Sequence, residues 1–194
     1  MEELLNNAYE LIMNTINSSA IFGPILACML IFVESILPIL PLFVFITINF
    51  IAFGYILGFI ISYILTILGC IFSFYLCRGL LKDYFKDKFR KNKKFDKLMK
   101  KIDKMKFSNL VLLIAIPFTP AFLINIAISL SEMELKKFTI AIIIGKLSIV
   151  FFWGFIGTSL VESLKNPKIL IIIFIMLVIT YILSRIAMKK LKIN

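Results

Sequence analysis

Two ionisable residues stand inside otherwise uncharged stretches of this chain. Glu34 separates the runs at residues 11–33 and 35–77, and Lys146 interrupts the run at 138–161. A charge at bilayer depth costs roughly 2.5–3.5 kcal/mol on insertion scales, so such residues are functional candidates by default. Desolvation raises the pKa of a carboxyl, which would suit Glu34 to carry a proton or to counter a cationic headgroup. Lys146 would pair with Glu34 or with a lipid phosphate. Each also has a plainer role open to it: Glu34 as an interfacial carboxylate, and Lys146 as a long stem reaching the cytoplasmic interface. Gly145-Lys146-x-Ser148 is only superficially like a phosphate loop, because the earlier glycine such a loop needs is replaced by Ile140.

The prolines recur in the same spacing. Pro38-Ile39-Leu40-Pro41 and Pro117-Phe118-Thr119-Pro120 are both Pro-x-x-Pro, each followed by an apolar run containing an asparagine, Asn49 or Asn125. Proline removes a backbone donor and disfavours helix at the preceding residue, so each motif predicts a non-helical tip. Broken segments at corresponding positions of two halves point to a transporter's midplane site. Non-helical backbone at that depth is tolerated where it is buried in protein or lines a polar cavity. The alternative is that the four prolines kink ordinary spans, which are richer in proline than soluble helices. Thr119, Asn125, Ser129 and Asn49 offer neutral hydrogen-bonding groups, with structural duty the leading expectation. The pairs Gly54/Gly58 and Gly154/Gly157 predict close helix approach. Trp153 and Tyr181 are expected to pack rather than to bind.

Other chemistry is excluded by what is missing. With no histidine in the chain, a histidine relay, a histidine metal ligand and a Ser-His triad are all impossible. The three cysteines, Cys28, Cys70 and Cys77, sit in apolar stretches without metal-like spacing, so neither a metal site nor a disulfide framework is indicated. No cofactor and no enzymatic activity are expected.

These residues must be positioned by membrane helices. Hydrophobic residues make up 61% of the 194 and mean hydropathy is +1.01, which rules out a soluble globule. The uncharged run at 35–77 would be about 64 Å long as one straight helix, twice the hydrocarbon thickness, and must break or fold back. The net charge of +11 is concentrated at residues 82–106, with a second cluster at Arg185, Lys189, Lys190 and Lys192. Basic clusters beside spans stay cytoplasmic and attract anionic headgroups, so nucleic acid is not expected as a partner. If 107–131 crossed the membrane, the basic C-terminal cluster would lie outside. A re-entrant hairpin entering from the cytoplasm avoids that.

The predicted fold is therefore an all-α integral membrane protein, a single membrane domain over residues 1–194. It comprises an amphipathic segment at 1–19, a first re-entrant hairpin at 20–53, a transmembrane helix at 54–81 and a basic cytoplasmic loop at 82–106. A second re-entrant hairpin at 107–131 and transmembrane helices at 138–161 and 168–188 complete it. The two facing Pro-x-x-Pro hairpins form an inverted repeat, entering from opposite faces.

The string Ile116-Pro117-Phe118-Thr119-Pro120-Ala121-Phe122-Leu123-Ile124-Asn125-Ile126-Ala127 is followed by Ser129-Leu130-Ser131, Phe138 and Gly145-Lys146. Over roughly residues 34–160 it resembles the signature of the DedA / SNARE-associated Golgi protein superfamily, the VTT domain, and within it the Golgi-type bacterial branch. That resemblance implies two facing re-entrant hairpins and lipid handling: phospholipid scrambling in eukaryotes, and transport of undecaprenyl phosphate or phosphatidylethanolamine in bacteria, with proton coupling proposed for some members. It places Glu34 at the acidic position of the first hairpin and Pro117 and Pro120 at the tip of the second. DedA proper has arginines flanking the second-hairpin proline, where this chain has Ile114 and Pro120. Arginine grips phosphate bidentately, so this chain departs from the family at that point. Lys146 is the candidate substitute.

The expected function is a membrane lipid transporter or scramblase with a site made of Glu34, Pro38, Pro41, Pro117, Thr119, Pro120, Asn125 and Lys146. Its partners are membrane lipids, with a homo-oligomer left open. The rivals are a secondary transporter of a small solute or ion, and a non-transporting membrane organiser that binds anionic lipid through the basic loop. A composition rich in lysine and isoleucine suggests an AT-rich bacterial source, and so a multi-pass plasma membrane protein.

Overall fold

The computed structural model describes residues 22–36, 41–89, 99–118 and 121–190. All regular structure among them is helical: α1 (Phe22–Ile36), α2 (Leu42–Leu76), α3 (Lys82–Phe89), α4 (Phe107–Ala115), α5 (Ala121–Leu130), α6 (Leu135–Ser163) and α7 (Ile169–Lys190). A short π-helical stretch, Cys77–Leu81, joins α2 to α3. Three helices are long and apolar enough to cross a membrane, spanning Leu42–Leu80, Leu135–Ser163 and Ile169–Lys189.

The first of these does not run straight. Gly54 has φ 75° and ψ 173°, a combination essentially reserved for glycine, and the helix reverses there. In a continuous helix Asn49 and Ser62 would be about 20 Å apart. Instead, the Asn49 side-chain amide donates to the Ser62 hydroxyl at 3.1 Å. A Cβ on Gly58 would meet the Asn49 carbonyl oxygen at 2.6 Å and the Phe50 Cα at 2.7 Å, so the two limbs touch backbone to backbone. The limb at residues 42–53 is roughly 18 Å long, while 55–81 reaches about 40 Å, enough to cross by itself. Gly58 thus gives the close approach expected of the pair, and Gly54 is the break from which a new helix toward residue 81 was expected to start.

α1 packs on the folded limb. Asn49 also donates to the Cys28 sulfur at 3.6 Å, and Ala27, Ile31, Phe45, Ile46, Phe50 and Val150 form a buried cluster. Pro41, with extended φ −75° and ψ 99°, starts α2, while 37–40, including Pro38, lie outside the described residues.

The second broken segment is tied at both ends. Arg78, on the π-helical stretch, donates to the carbonyls of Ser129 (3.0 Å), Ser131 (2.7 Å) and Met133 (2.9 Å), and its guanidinium lies 4.2 Å over the Phe74 ring. Lys82 pairs with Glu132 at 3.1 Å, and Lys137 donates to the Met105 carbonyl at 2.8 Å. The chain therefore leaves for α4 and returns from α5 at one place. Between these helices Ile116 is extended and Phe118 has φ 66°. Leu110, Ile114, Ile128, Phe138 and Ile142 bury against Cys70 and Phe74 in a second cluster.

Small residues on α6 let the short limb at 42–53 and α4 approach it closely, as they must where lipid supplies no hydrophobic drive. A Cβ on Gly154 would strike the Phe50 ring, one on Gly157 would strike Thr47, and one on Gly145 would meet Ile114. The basic segment expected as a loop is partly helical, at Lys82–Phe89 and at residues 99–103. A helix satisfies its own backbone there while the lysines stay solvated.

Candidate functional site

The two chain breaks converge. A cleft of about 290 Å³ is lined by Glu34 and Ser35 from α1, Pro41 to Phe43 at the start of α2, Ile116 to Phe118 and Asn125 from the second broken segment, and Lys146, Ile149 and Trp153 from α6. Ile149 is the central residue of Leu135–Ser163, so the cleft sits at about half the height of the longest helix.

Five of the eight residues singled out from sequence, Glu34, Pro41, Pro117, Asn125 and Lys146, line this one cleft. Pro38, Thr119 and Pro120 fall outside the described residues. The prolines explain the cleft's existence: neither break can close its helical hydrogen-bond ladder, so the ends stand apart and leave space.

Lys146 is only 6% exposed, which overturns the picture of a stem reaching out to the interface. Its ammonium makes no hydrogen bond among the described residues and remains available to the cleft. Glu34 is half-buried on α1, a helix too short to span. Burial pushes its carboxyl pKa well above the usual range, and the charge of Lys146 opposes that rise. The two face the same cleft without forming an ion pair. An opposite-charge pair held apart in this way leaves room for a zwitterionic or anionic group between them.

The asparagines hold the arms in place. Asn49 is fully buried and bonded to Ser62 and Cys28, a purely structural duty. Asn125 donates to the Cys70 sulfur at 3.5 Å, and its backbone carbonyl accepts from the Ser129 hydroxyl at 2.7 Å. Its side chain thus anchors α5 to α2 while also bordering the cleft. Among the described residues no cluster could hold a metal ion.

Two features went unseen in the sequence. Arg78 fell inside the transmembrane helix predicted at 54–81 and was not singled out, and the fold shows it turned onto the carbonyls of Ser129, Ser131 and Met133 at the end of α5. Trp153, expected to be a packing residue, lines the cleft, with Phe43 and Phe118 ring centroids 5.9 and 5.6 Å away. Its position one helical turn beyond Ile149 and two beyond Lys146, on the same face of α6, was the available signal.

A sequence model of the VTT domain matches residues 37–159. The chain is also similar to the uncharacterised membrane protein YhjE of Bacillus subtilis (strain 168), at 30% identity over 162 residues, covering 83% of this chain and 78% of that protein. No solved structure matches it. With the domain match covering most of the chain, including both broken segments and the Lys146 helix, the chain belongs to the VTT-domain, or DedA, family of membrane proteins.

Proposed function

We propose that this protein moves lipids between leaflets, as a transporter or scramblase of the plasma membrane, with the headgroup passing through the cleft and the tails remaining in the bilayer. One observation carries the proposal: the two charges that interrupt the uncharged stretches, Glu34 and Lys146, come from distant parts of the chain and face one cleft at mid-height. Charges at that depth are costly to keep unless they serve a polar ligand. In this reading residues 20–53 and 107–131 are re-entrant hairpins entering from opposite faces, and the basic segment and C-terminus are cytoplasmic. Lys146 attracts the headgroup phosphate, Asn125 contacts the headgroup, and Glu34 takes up or releases a proton as the headgroup passes.

The test is lipid movement in proteoliposomes of the purified protein, using labelled phosphatidylethanolamine and undecaprenyl phosphate in parallel. Wild type should move at least one of them, and Glu34→Gln should lose that movement. Movement untouched by Glu34→Gln rejects the role of the carboxyl. Uptake of a small solute without lipid movement would establish a closed-site solute transporter instead.

A further inference from the structure

Beside the polar cleft lies a second cavity of about 480 Å³, lined by aromatic and aliphatic side chains, among them Phe174, Leu177 and Tyr181 of α7. Both cavities have Phe43, Phe118 and Trp153 in their walls. Phe118 is the non-glycine residue with positive φ among the described residues, at 66°. That conformation is unfavourable for a residue with a side chain and persists where surrounding structure imposes it. Here it sets the ring between Trp153, at 5.6 Å, and Tyr181, at 6.1 Å. The two cavities thus share the aromatic residues Phe43, Phe118 and Trp153 as lining.

We propose that the groove is a chain-binding subsite: it holds one hydrocarbon chain of the lipid whose headgroup occupies the cleft. The inference rests on the lipid reading above and amends it at one point: one tail leaves the surrounding bilayer for the groove while the headgroup is in the cleft, and the other stays in the bilayer. Three features favour a chain over any other occupant. The groove carries no lining residue that is charged at neutral pH, Glu34 and Lys146 line the cleft and not the groove, and α7 packs on α6 while many of its other side chains are exposed. A molecule occupying both cavities must therefore be charged at one end and apolar at the other. Their sizes fall in the range usual for small-molecule sites.

The test uses proteoliposomes of the full chain containing phosphatidylethanolamine with a diazirine on one acyl chain, with photolabelled residues mapped by mass spectrometry. Phe174, Leu177 and Tyr181 should be labelled at least fivefold more than Ile172, Ile179 and Leu183, which sit at nearby heights on the opposite face of α7; Phe174 and Tyr181 are about as exposed as these controls, so exposure alone would label both sets alike. Equal labelling around the helix would mean ordinary surrounding lipid and would overturn the proposal. Leu177→Trp fills the groove, so labelling at Phe174 and Tyr181 should fall while Ile179 is unchanged; undiminished labelling refutes a chain site. Lys146→Met should also lower groove labelling, because head and chain belong to one molecule. If groove labelling survives Lys146→Met unchanged, the joint site is overturned. Groove-selective labelling that depends on Lys146, in vesicles where no lipid crosses, would sink the transport reading and leave this one standing.

Discussion

Replacing Gly58 by alanine tests the reversal at Gly54 directly. A Cβ there would lie 2.6 Å from the Asn49 carbonyl oxygen, 2.7 Å from the Phe50 Cα and 2.8 Å from the Asn49 carbonyl carbon. All three are backbone atoms of the opposing limb, so no side-chain rotation relieves the clash, and the cost belongs at the upper end of overpacking, about 3 kcal/mol. For a chain of this length each kcal/mol moves the melting temperature by about 2–4 °C, giving a fall of roughly 6–12 °C. Gly54→Ala forces a side chain into a conformation costing about 1–3 kcal/mol and should fall by several degrees as well. Gly79→Ala is the control: nothing lies within 4 Å of its Cβ, so it should be neutral or slightly stabilising. The assay is thermal unfolding in detergent at a fixed scan rate, followed by reaction of a fluorogenic maleimide with Cys70 and Cys77, both buried in the fold. If Gly58→Ala behaves like Gly79→Ala, the limbs do not touch and residues 42–80 form one continuous helix.

Arg78→Gln removes three charge-assisted hydrogen bonds to the end of α5 and should cost about 3 kcal/mol, read as a melting shift, while Arg78→Lys restores only part because an ammonium cannot fork across three carbonyls. Full rescue by lysine would refute the fork. Lys146→Met replaces the ammonium facing the cleft by an apolar side chain of similar length, so lipid movement should be lost with the fold intact; movement that persists in folded protein would refute the role given to Lys146. The raised pKa of Glu34 means the folded chain keeps that proton to higher pH than the unfolded chain does. Its contribution to stability is complete below the ordinary carboxylate pKa and declines as pH climbs toward the raised value. Glu34→Gln should flatten this decline, and an unchanged stability-pH slope would show that the carboxyl titrates normally.

The sequence was informative where physics leaves little choice. A charge within an uncharged run and a proline within an apolar helix each have few tolerable environments, which is why Glu34, Lys146, Pro41 and Pro117 could be singled out before any fold was in view. Gly54 was legible as a break because a 43-residue uncharged run is too long for one crossing, but that the chain reverses there and brings Asn49 onto Ser62 needed the dihedral angles. Arg78 was passed over because it stands at the end of the predicted helix 54–81, where an arginine is ordinary, and its three carbonyl partners lie more than fifty residues away in sequence. The apolar groove was not legible at all, since Phe43, Phe118, Trp153 and Tyr181 are ordinary aromatic residues until α7 is placed against α6.

The short helices also bear on the bilayer itself. At 1.5 Å per residue the limbs at 22–36, 42–53, 107–115 and 121–130 are about 14–22 Å long, beside an α6 of about 44 Å and a hydrocarbon slab of about 30 Å. In the re-entrant reading, lipid beside these limbs meets an apolar wall shorter than the slab, and the two leaflets would draw together to match it, at a cost of fractions of a kcal/mol per ångström. A polar group crossing beside them would then have less hydrocarbon to traverse before it makes any contact with the protein.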